Sequence, residues 1–176
     1  MSPIALHCFR VAIIQDEEAW RMHEAYMVNR KAFRIEQDKV LFLCYGNACR
    51  SIMAEALGRH FCGNEMETRS AGFFPLGHIP PFTLEVLEEA GISTDGLYSK
   101  GLSEAGIDDI DYLVNLTELK VASLMAPGFS GKLISYPVRD PFGQNIESYR
   151  EAREELEWLV REKLPDLIAA QDKGRG

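Results

Sequence analysis

Cysteine is scarce in this chain: four in 176 residues, at Cys8, Cys44, Cys49 and Cys62, with none after Cys62. That density excludes a disulfide framework. It also excludes a structural zinc site, because Cys44 and Cys49 have no second pair at suitable spacing to complete four ligands. No metal and no cofactor are expected. Positive charge is short as well, with 19 Lys and Arg against 27 Asp and Glu and a net charge of −8. Broad attraction to nucleic acid or to an anionic membrane is therefore excluded. An anion can be held only by a local set of donors that overcomes the overall field. No run reaches the roughly 18 apolar residues of a membrane-spanning helix. The apolar stretch from Ile4 to Ile14 is broken by His7 and Arg10, and it has neither a basic lead nor a small-residue cleavage site. A cytoplasmic, reducing location is the expectation.

What is present fits one compact domain with a core, since 46% of the residues are hydrophobic. Val40 to Leu43 is a short continuous apolar run, the pattern of a buried parallel strand. After Ser51, helical spacing places Met53, Ala56, Leu57, His60 and Phe61 on one face, so His60 is expected in the core. A second strand is expected from Met66 to Ser70, closed by Ala71 and Gly72. A helix follows from Pro81 to Ala90, with proline at its start and Gly91 to end it. Tyr112 to Leu116 reads as a third strand, and Thr117 is placed to cap a helix stopped by Pro127 and Gly128. Leu133 to Tyr136 reads as a fourth strand. A last helix spans Ile146 to Leu164, with Tyr149, Ala152, Leu156, Leu159 and Val160 on one face.

Strands alternating with helices predict a single α/β domain over residues 39–176, a four-stranded parallel sheet with helices on both faces. Residues 1–38 stand apart as an N-terminal extension. Ala19, Met22, Tyr26 and Phe33 suit one face of a packing helix between Asp16 and Arg34. In sheets of this kind, ligands bind beyond the carboxyl ends of the strands. The loop after the first strand and the loop carrying Arg139, Asp140 and Pro141 should therefore meet.

Chemistry concentrates in Cys44-Tyr45-Gly46-Asn47-Ala48-Cys49-Arg50-Ser51. A loop between strand end and helix start can curl its backbone N–H groups inward into an anion nest, reinforced by the helix dipole. Gly46 and Asn47 tolerate the left-handed backbone such a curl needs. Arg50 can grip two oxygens of an anion with its planar fork. Cys44 faces these donors, which favour a thiolate, and Ser51 can donate a hydrogen bond to that sulfur.

This stretch resembles the Cys-x5-Arg-Ser phosphate loop of the low-molecular-weight protein tyrosine phosphatases. The similarity extends from Val40 to about Leu164 through Met53-Ala54-Glu55-Ala56, Ser70-Ala71-Gly72, Gly91-Ile92 and Asp140-Pro141-Phe142-Gly143. The resemblance implies that Cys44 attacks phosphorus and that Asp140 first protonates the leaving oxygen, then activates water. It further implies that Arg50 and the loop of Tyr45, Gly46, Asn47, Ala48, Cys49 and Ser51 hold the oxygens, with Phe142 as an aromatic wall. The implied substrate is a phosphorylated protein or small phosphomonoester, and phosphate, vanadate or arsenate should occupy the loop. Ile52 stands where the family usually has proline, at a helix position where proline is favourable but dispensable.

Two relatives give rival readings. The protein-arginine phosphatases share Asp-Pro-Phe-Gly but usually carry threonine where this chain has Ala48. The thioredoxin-coupled arsenate reductases share the loop and Ser99-Lys100-Gly101-Leu102. They relay oxidation to cysteines on a segment matching Asn115 to Phe129, which here contains none. Arsenate reduction would then need an external thiol.

Overall fold

The computed structural model describes residues 37–121 and 129–173. The expected extension helix between Asp16 and Arg34 lies outside the described residues. So does most of the helix expected to follow the third strand.

Four strands form the sheet: β1 (Asp38–Cys44), β2 (Met66–Gly72), β3 (Tyr112–Asn115) and β4 (Lys132–Ser135). All pairings are parallel, in the order β2-β1-β3-β4, with Leu43 opposite both Ala71 and Asn115. Val40 to Leu43 is fully buried, because both faces of this central strand are covered. Each such side chain contributes roughly 1.5–3 kcal/mol on burial. The chain runs from β1 outward to β2, then returns to the opposite side of β1 as β3. The sheet therefore reverses direction at β1, where a crevice opens beyond the strand ends.

Helices α1 (Arg50–Cys62), α2 (Pro81–Glu89) and α3 (Ile146–Trp158) alternate with the strands as the sequence predicts. Pro81 opens α2, and Gly91, at φ +70°, closes it while Ile92 N–H bonds back to Leu87 O. Asn145 caps α3 by accepting from Ser148 N–H at 3.1 Å. The last helix differs from expectation. It widens to a π turn over Leu159–Lys163, where Leu164 N–H reaches Leu159 O, and resumes as α4 (Leu164–Lys173). Pro165 accounts for this: it cannot donate to the Arg161 carbonyl and its ring crowds that oxygen.

The other sheet face carries Leu41, Leu43, Ala71 and Leu113 against Ala105, Ile110 and Val121. Within the described residues its cover is a 3-10 turn (Ile107–Asp109) and loop side chains. Thr117 does not open a helix there. Its Oγ1 accepts from Leu119 N–H at 3.1 Å while its own hydroxyl donates to Asn115, so the chain bends locally. His60 is likewise not in the core: it is exposed and meets Phe61 edge to face at 4.7 Å. The continuous buried stretch of α1 stops at Gly58, short of the stripe the spacing suggested.

Gly58 is where α1 lies on β2. A Cβ there would meet Thr68 Cγ2 at 2.5 Å and Oγ1 at 2.9 Å. Helix propensity alone favours alanine at Gly58 by about 1 kcal/mol, whereas overpacking costs about 1–3 kcal/mol. Gly58→Ala is thus expected to lower the thermal midpoint, and adding Thr68→Ser should recover part of the loss. A raised midpoint for Gly58→Ala in calorimetry would show that the contact yields freely.

Candidate active site

The loop between Cys44 and Arg50 is shaped from outside. Its carbonyls are bonded outward: Cys44 O by Phe73 N–H, Tyr45 O by Phe74 N–H and Gly46 O by Leu76 N–H, at 2.9–3.3 Å. Ala48 O accepts from Thr83 Oγ1 at 3.0 Å. Among the described residues, no backbone N–H from Tyr45 to Cys49 is taken by a protein partner. Acceptors face out and donors are left for the interior, the polarity of an anion nest.

Two residues permit this curl. Asn47 adopts φ +43°, the only non-glycine residue with positive φ among those described. Gly72, at the end of β2, lies under the loop: a Cβ on it would stand 2.6 Å from Asn47 N and 2.9 Å from Gly46 C. Gly46 does not serve as expected, because its φ is not positive and a Cβ there would meet nothing closer than 3.8 Å. The left-handed conformation falls on Asn47 alone, and the space requirement falls on Gly72.

Beneath the loop runs a buried polar chain. Asn47 Nδ2 donates to Ser51 Oγ at 2.8 Å and to Ser70 Oγ at 2.9 Å, while its Oδ1 accepts from Lys100 N–H at 2.7 Å. Ser70 donates to Glu55, which also pairs with Lys100 Nζ at 3.1 Å and with Arg59. Glu55 is 1% exposed and Lys100 6%. With both Asn47 amide hydrogens committed, Ser51 is left as an acceptor toward Asn47. Its own hydrogen is then free for Cys44 Sγ, 2.9 Å away. Sequence reasoning missed Glu55, Ser70 and Lys100 as members of this site. The available signal was the i, i+4 series Asn47, Ser51, Glu55, Arg59, a polar line along an otherwise apolar helix.

Arg50 is buried and reaches across the crevice. One terminal nitrogen donates to Leu116 O at 3.3 Å and Val138 O at 3.0 Å, and the other pairs with Asp140. Its Nε is buried without a partner, and an orphaned donor of this kind marks where an acceptor belongs. So Cys44, Arg50, Ser51 and Asp140 are brought together from two loops far apart in the chain. Asp140 Oδ1 also accepts from Phe142 N–H at 3.1 Å, and the Phe142 ring is half exposed. Tyr45 is exposed too, its ring 5.1 Å from that of Phe74.

Cys49 turns away from the loop interior. Its thiol donates to Tyr149 Oη at 3.8 Å. Burial pushes its pKa up to about 11, with neighbouring Thr83 and Tyr149 opposing the rise. Cys62 is a packing residue, buried with its thiol toward Val160 O. The arrangement as a whole can hold a tetrahedral oxyanion on backbone donors and Arg50 while presenting one sulfur to its centre.

The buried pair beneath the loop yields a stability prediction. Lys100→Met leaves Glu55 with one charged partner fewer. Removing one member of a buried pair costs about 3–5 kcal/mol, and since Arg59 still holds one oxygen, a loss at the lower end of that range is expected in denaturant titration. A loss as small as that of an exposed surface pair would show that Lys100 does not neutralise Glu55.

Residues 39–173 match the family described as low molecular weight phosphotyrosine protein phosphatase. Two Bacillus subtilis proteins are 32% identical to the chain. A protein-arginine-phosphatase aligns over 73% of this chain and 95% of its own length, and the low molecular weight protein-tyrosine-phosphatase YfkJ over 76% and 96%. A glutaredoxin arsenate reductase of Synechocystis is 29% identical over 74% and 96%. Among solved structures, the YwlE arginine phosphatase, in a mutant with a phosphorylated active-site serine, superposes with a TM-score of 0.65. It is 31% identical, over 74% of this chain and 95% of that one. With the matched region covering the sheet, the loop and the Asp140 segment, the chain belongs to the low molecular weight phosphotyrosine protein phosphatase family.

Proposed function

We propose that this protein is a cytoplasmic phosphatase that hydrolyses phosphotyrosine-type phosphomonoesters through a cysteinyl-phosphate. The observation that carries the reading is Arg50, buried at the loop with an unpartnered Nε and joined to Asp140. A dianion entering the nest meets Nε, the free loop N–H groups from Tyr45 to Cys49, and a fork whose partner is Asp140. Displaced from Arg50, the Asp140 carboxyl stands beside the leaving oxygen of the bound phosphoryl group. It is then equipped to act as an acid.

In the proposed cycle Cys44 Sγ forms a bond to phosphorus as the bond to the leaving oxygen breaks, and Asp140 gives that oxygen its proton. Water then attacks phosphorus and gives a proton to Asp140; the S–P bond breaks, and inorganic phosphate leaves. Ser51 donates to the sulfur when it carries negative charge, and Arg50 with the loop amides holds the equatorial oxygens. The phosphorylated active-site serine of the YwlE mutant supports a covalent intermediate at this position. Tyr45 and Phe142 offer aromatic surface at the rim for a ring substrate. The cytoplasmic assignment draws on cysteine usage, four in 176 residues with no disulfide-framework density, which suits a reducing compartment.

Asp140→Ala provides the test. Loss of general acid catalysis should reduce kcat/KM for a phosphotyrosine peptide by about 10²–10⁴-fold, with a much smaller loss for an aryl phosphate whose phenolate leaves unaided. The same panel should include phosphoarginine and arsenate with thiol reductants. Thiol-dependent arsenate turnover alongside negligible phosphotyrosine hydrolysis would replace this reading with a reductase. A strong preference for phosphoarginine would move the substrate within the same chemistry.

A further inference from the structure

The two halves of the phosphate loop are held from outside in different ways. In the first half, Cys44 O, Tyr45 O and Gly46 O accept the backbone N–H groups of Phe73, Phe74 and Leu76 at 2.9–3.3 Å. Ser99 Oγ also reaches Gly46 O, at 3.3 Å, and there it duplicates a backbone bond. In the second half, the Ala48 carbonyl has one donor among the described residues, the side-chain hydroxyl of Thr83 at 3.0 Å. Backbone donors survive a change of side chain. The Thr83 hydroxyl does not.

Thr83 reaches the loop from a separate element. It lies in the first turn of α2, 35 positions along the chain from Ala48, and it is fully buried. Its N–H returns to Pro80 O at 3.0 Å, so its own backbone is fixed independently of the loop. Ala48 is buried as well, which leaves bulk water little access to replace the hydroxyl. A peptide unit is planar and trans, so its C=O and N–H point in opposite directions. Holding Ala48 O outward on Thr83 therefore directs the N–H of the same unit, which belongs to Cys49, toward the loop interior. That N–H has no protein partner among the described residues. A rotation of this unit would turn a carbonyl oxygen toward the anion in place of a donor.

We propose that Thr83 is a positioning residue for oxyanion binding, its hydroxyl locking the peptide unit between Ala48 and Cys49 so that the Cys49 N–H faces the bound anion. The inference deepens the phosphatase reading and rests on it for the reaction, while anion affinity tests it separately. Removing a donor from an oxyanion site costs about 10²–10³-fold in rate. Loosening a donor that stays in the chain should cost less, about tenfold.

The test is Thr83→Val, which keeps the branched shape of the side chain and removes the hydroxyl. The dissociation constant for inorganic phosphate, read by calorimetry, should rise about tenfold. For a phosphotyrosine peptide and for 2,4-dinitrophenyl phosphate, kcat/KM should fall by that same factor, because both present the same phosphoryl oxygens to the loop. An even loss separates Thr83 from a residue acting through Asp140, whose removal spares the activated substrate. Thr83→Ser restores the hydroxyl and should return phosphate affinity to within about twofold of wild type. Unchanged phosphate affinity in Thr83→Val, or Thr83→Ser binding as weakly as Thr83→Val, would overturn the proposal. Should Thr83→Val fail to fold, the wild-type protein decides. Inorganic phosphate should then move the Cys49 amide proton downfield in NMR spectra, and an unmoved amide would overturn the assignment. A wild-type protein that binds phosphate yet hydrolyses neither substrate would refute the phosphatase reading, and the affinity comparison would still judge Thr83 by itself.

Discussion

A carboxylate buried beneath the phosphate loop constrains everything above it. Glu55 is 1% exposed, and an ionised group at that depth must be met by donors from several directions or its desolvation cost goes uncompensated. Lys100, Arg59 and Ser70 meet it. Because Ser70 spends its hydrogen on Glu55, its oxygen accepts from Asn47. Because the Asn47 amide is thereby oriented, its carbonyl takes the Lys100 N–H and its second hydrogen goes to Ser51. Ser51 is left as a donor beside Cys44. A charge one helical turn below the loop thus sets the direction of each hydrogen bond up to the sulfur, and it holds Asn47 in a left-handed conformation that few side chains tolerate.

The field at the site is local for the same reason. The chain carries a net charge of −8, yet Lys100 beneath the loop is paired with Glu55, and Arg50 beside it with Asp140. What remains to attract an anion is the set of loop N–H groups, the start of α1 and the Arg50 Nε. Exposed carboxylates more than about 8 Å away are largely screened at physiological ionic strength. A strongly acidic protein can therefore hold a dianion, and the Arg50–Asp140 contact offsets the arginine's charge.

The sheet and the loop were legible in the sequence because their signals are one-dimensional. Val40 to Leu43 is buried on both faces and so is apolar without interruption, and the Cys-to-Arg spacing is confined to one turn of chain. Asp140 was legible through its neighbours Pro141 to Gly143. What escaped depends on which surfaces meet. His60 continues the apolar spacing of α1, but the partner surface ends near Gly58. Gly46 looked like the flexible member of the loop, whereas the close approach lies at Gly72, on another strand, where a Cβ would stand only 2.6 Å from the loop backbone. Thr117 has a capping side chain but spends it on a local bend with Asn115. Glu55 and Lys100 received no role of their own from the sequence, since only tertiary packing shows that they are inside.

Sulfur chemistry at this site divides on the second nucleophile. Reducing an arsenate held on Cys44 requires another thiolate to attack the Cys44 sulfur, taking the bond and releasing arsenite. Cys49 is the near candidate, but burial pushes its pKa up to about 11 and so keeps it as the thiol at neutral pH. Its thiol is also turned toward Tyr149. No cysteine follows Cys62 in the chain, so the segment after β3 offers no replacement. Hydrolysis needs only water and a base, and on the proposed reading Asp140 becomes that base once it has given up its proton. Burial keeps Cys49 protonated, and the proton it retains is the one it donates to Tyr149. The burial that disfavours a thiol relay thus leaves hydrolysis, with Asp140 carrying the proton, as the chemistry the proposed reading assigns to the site.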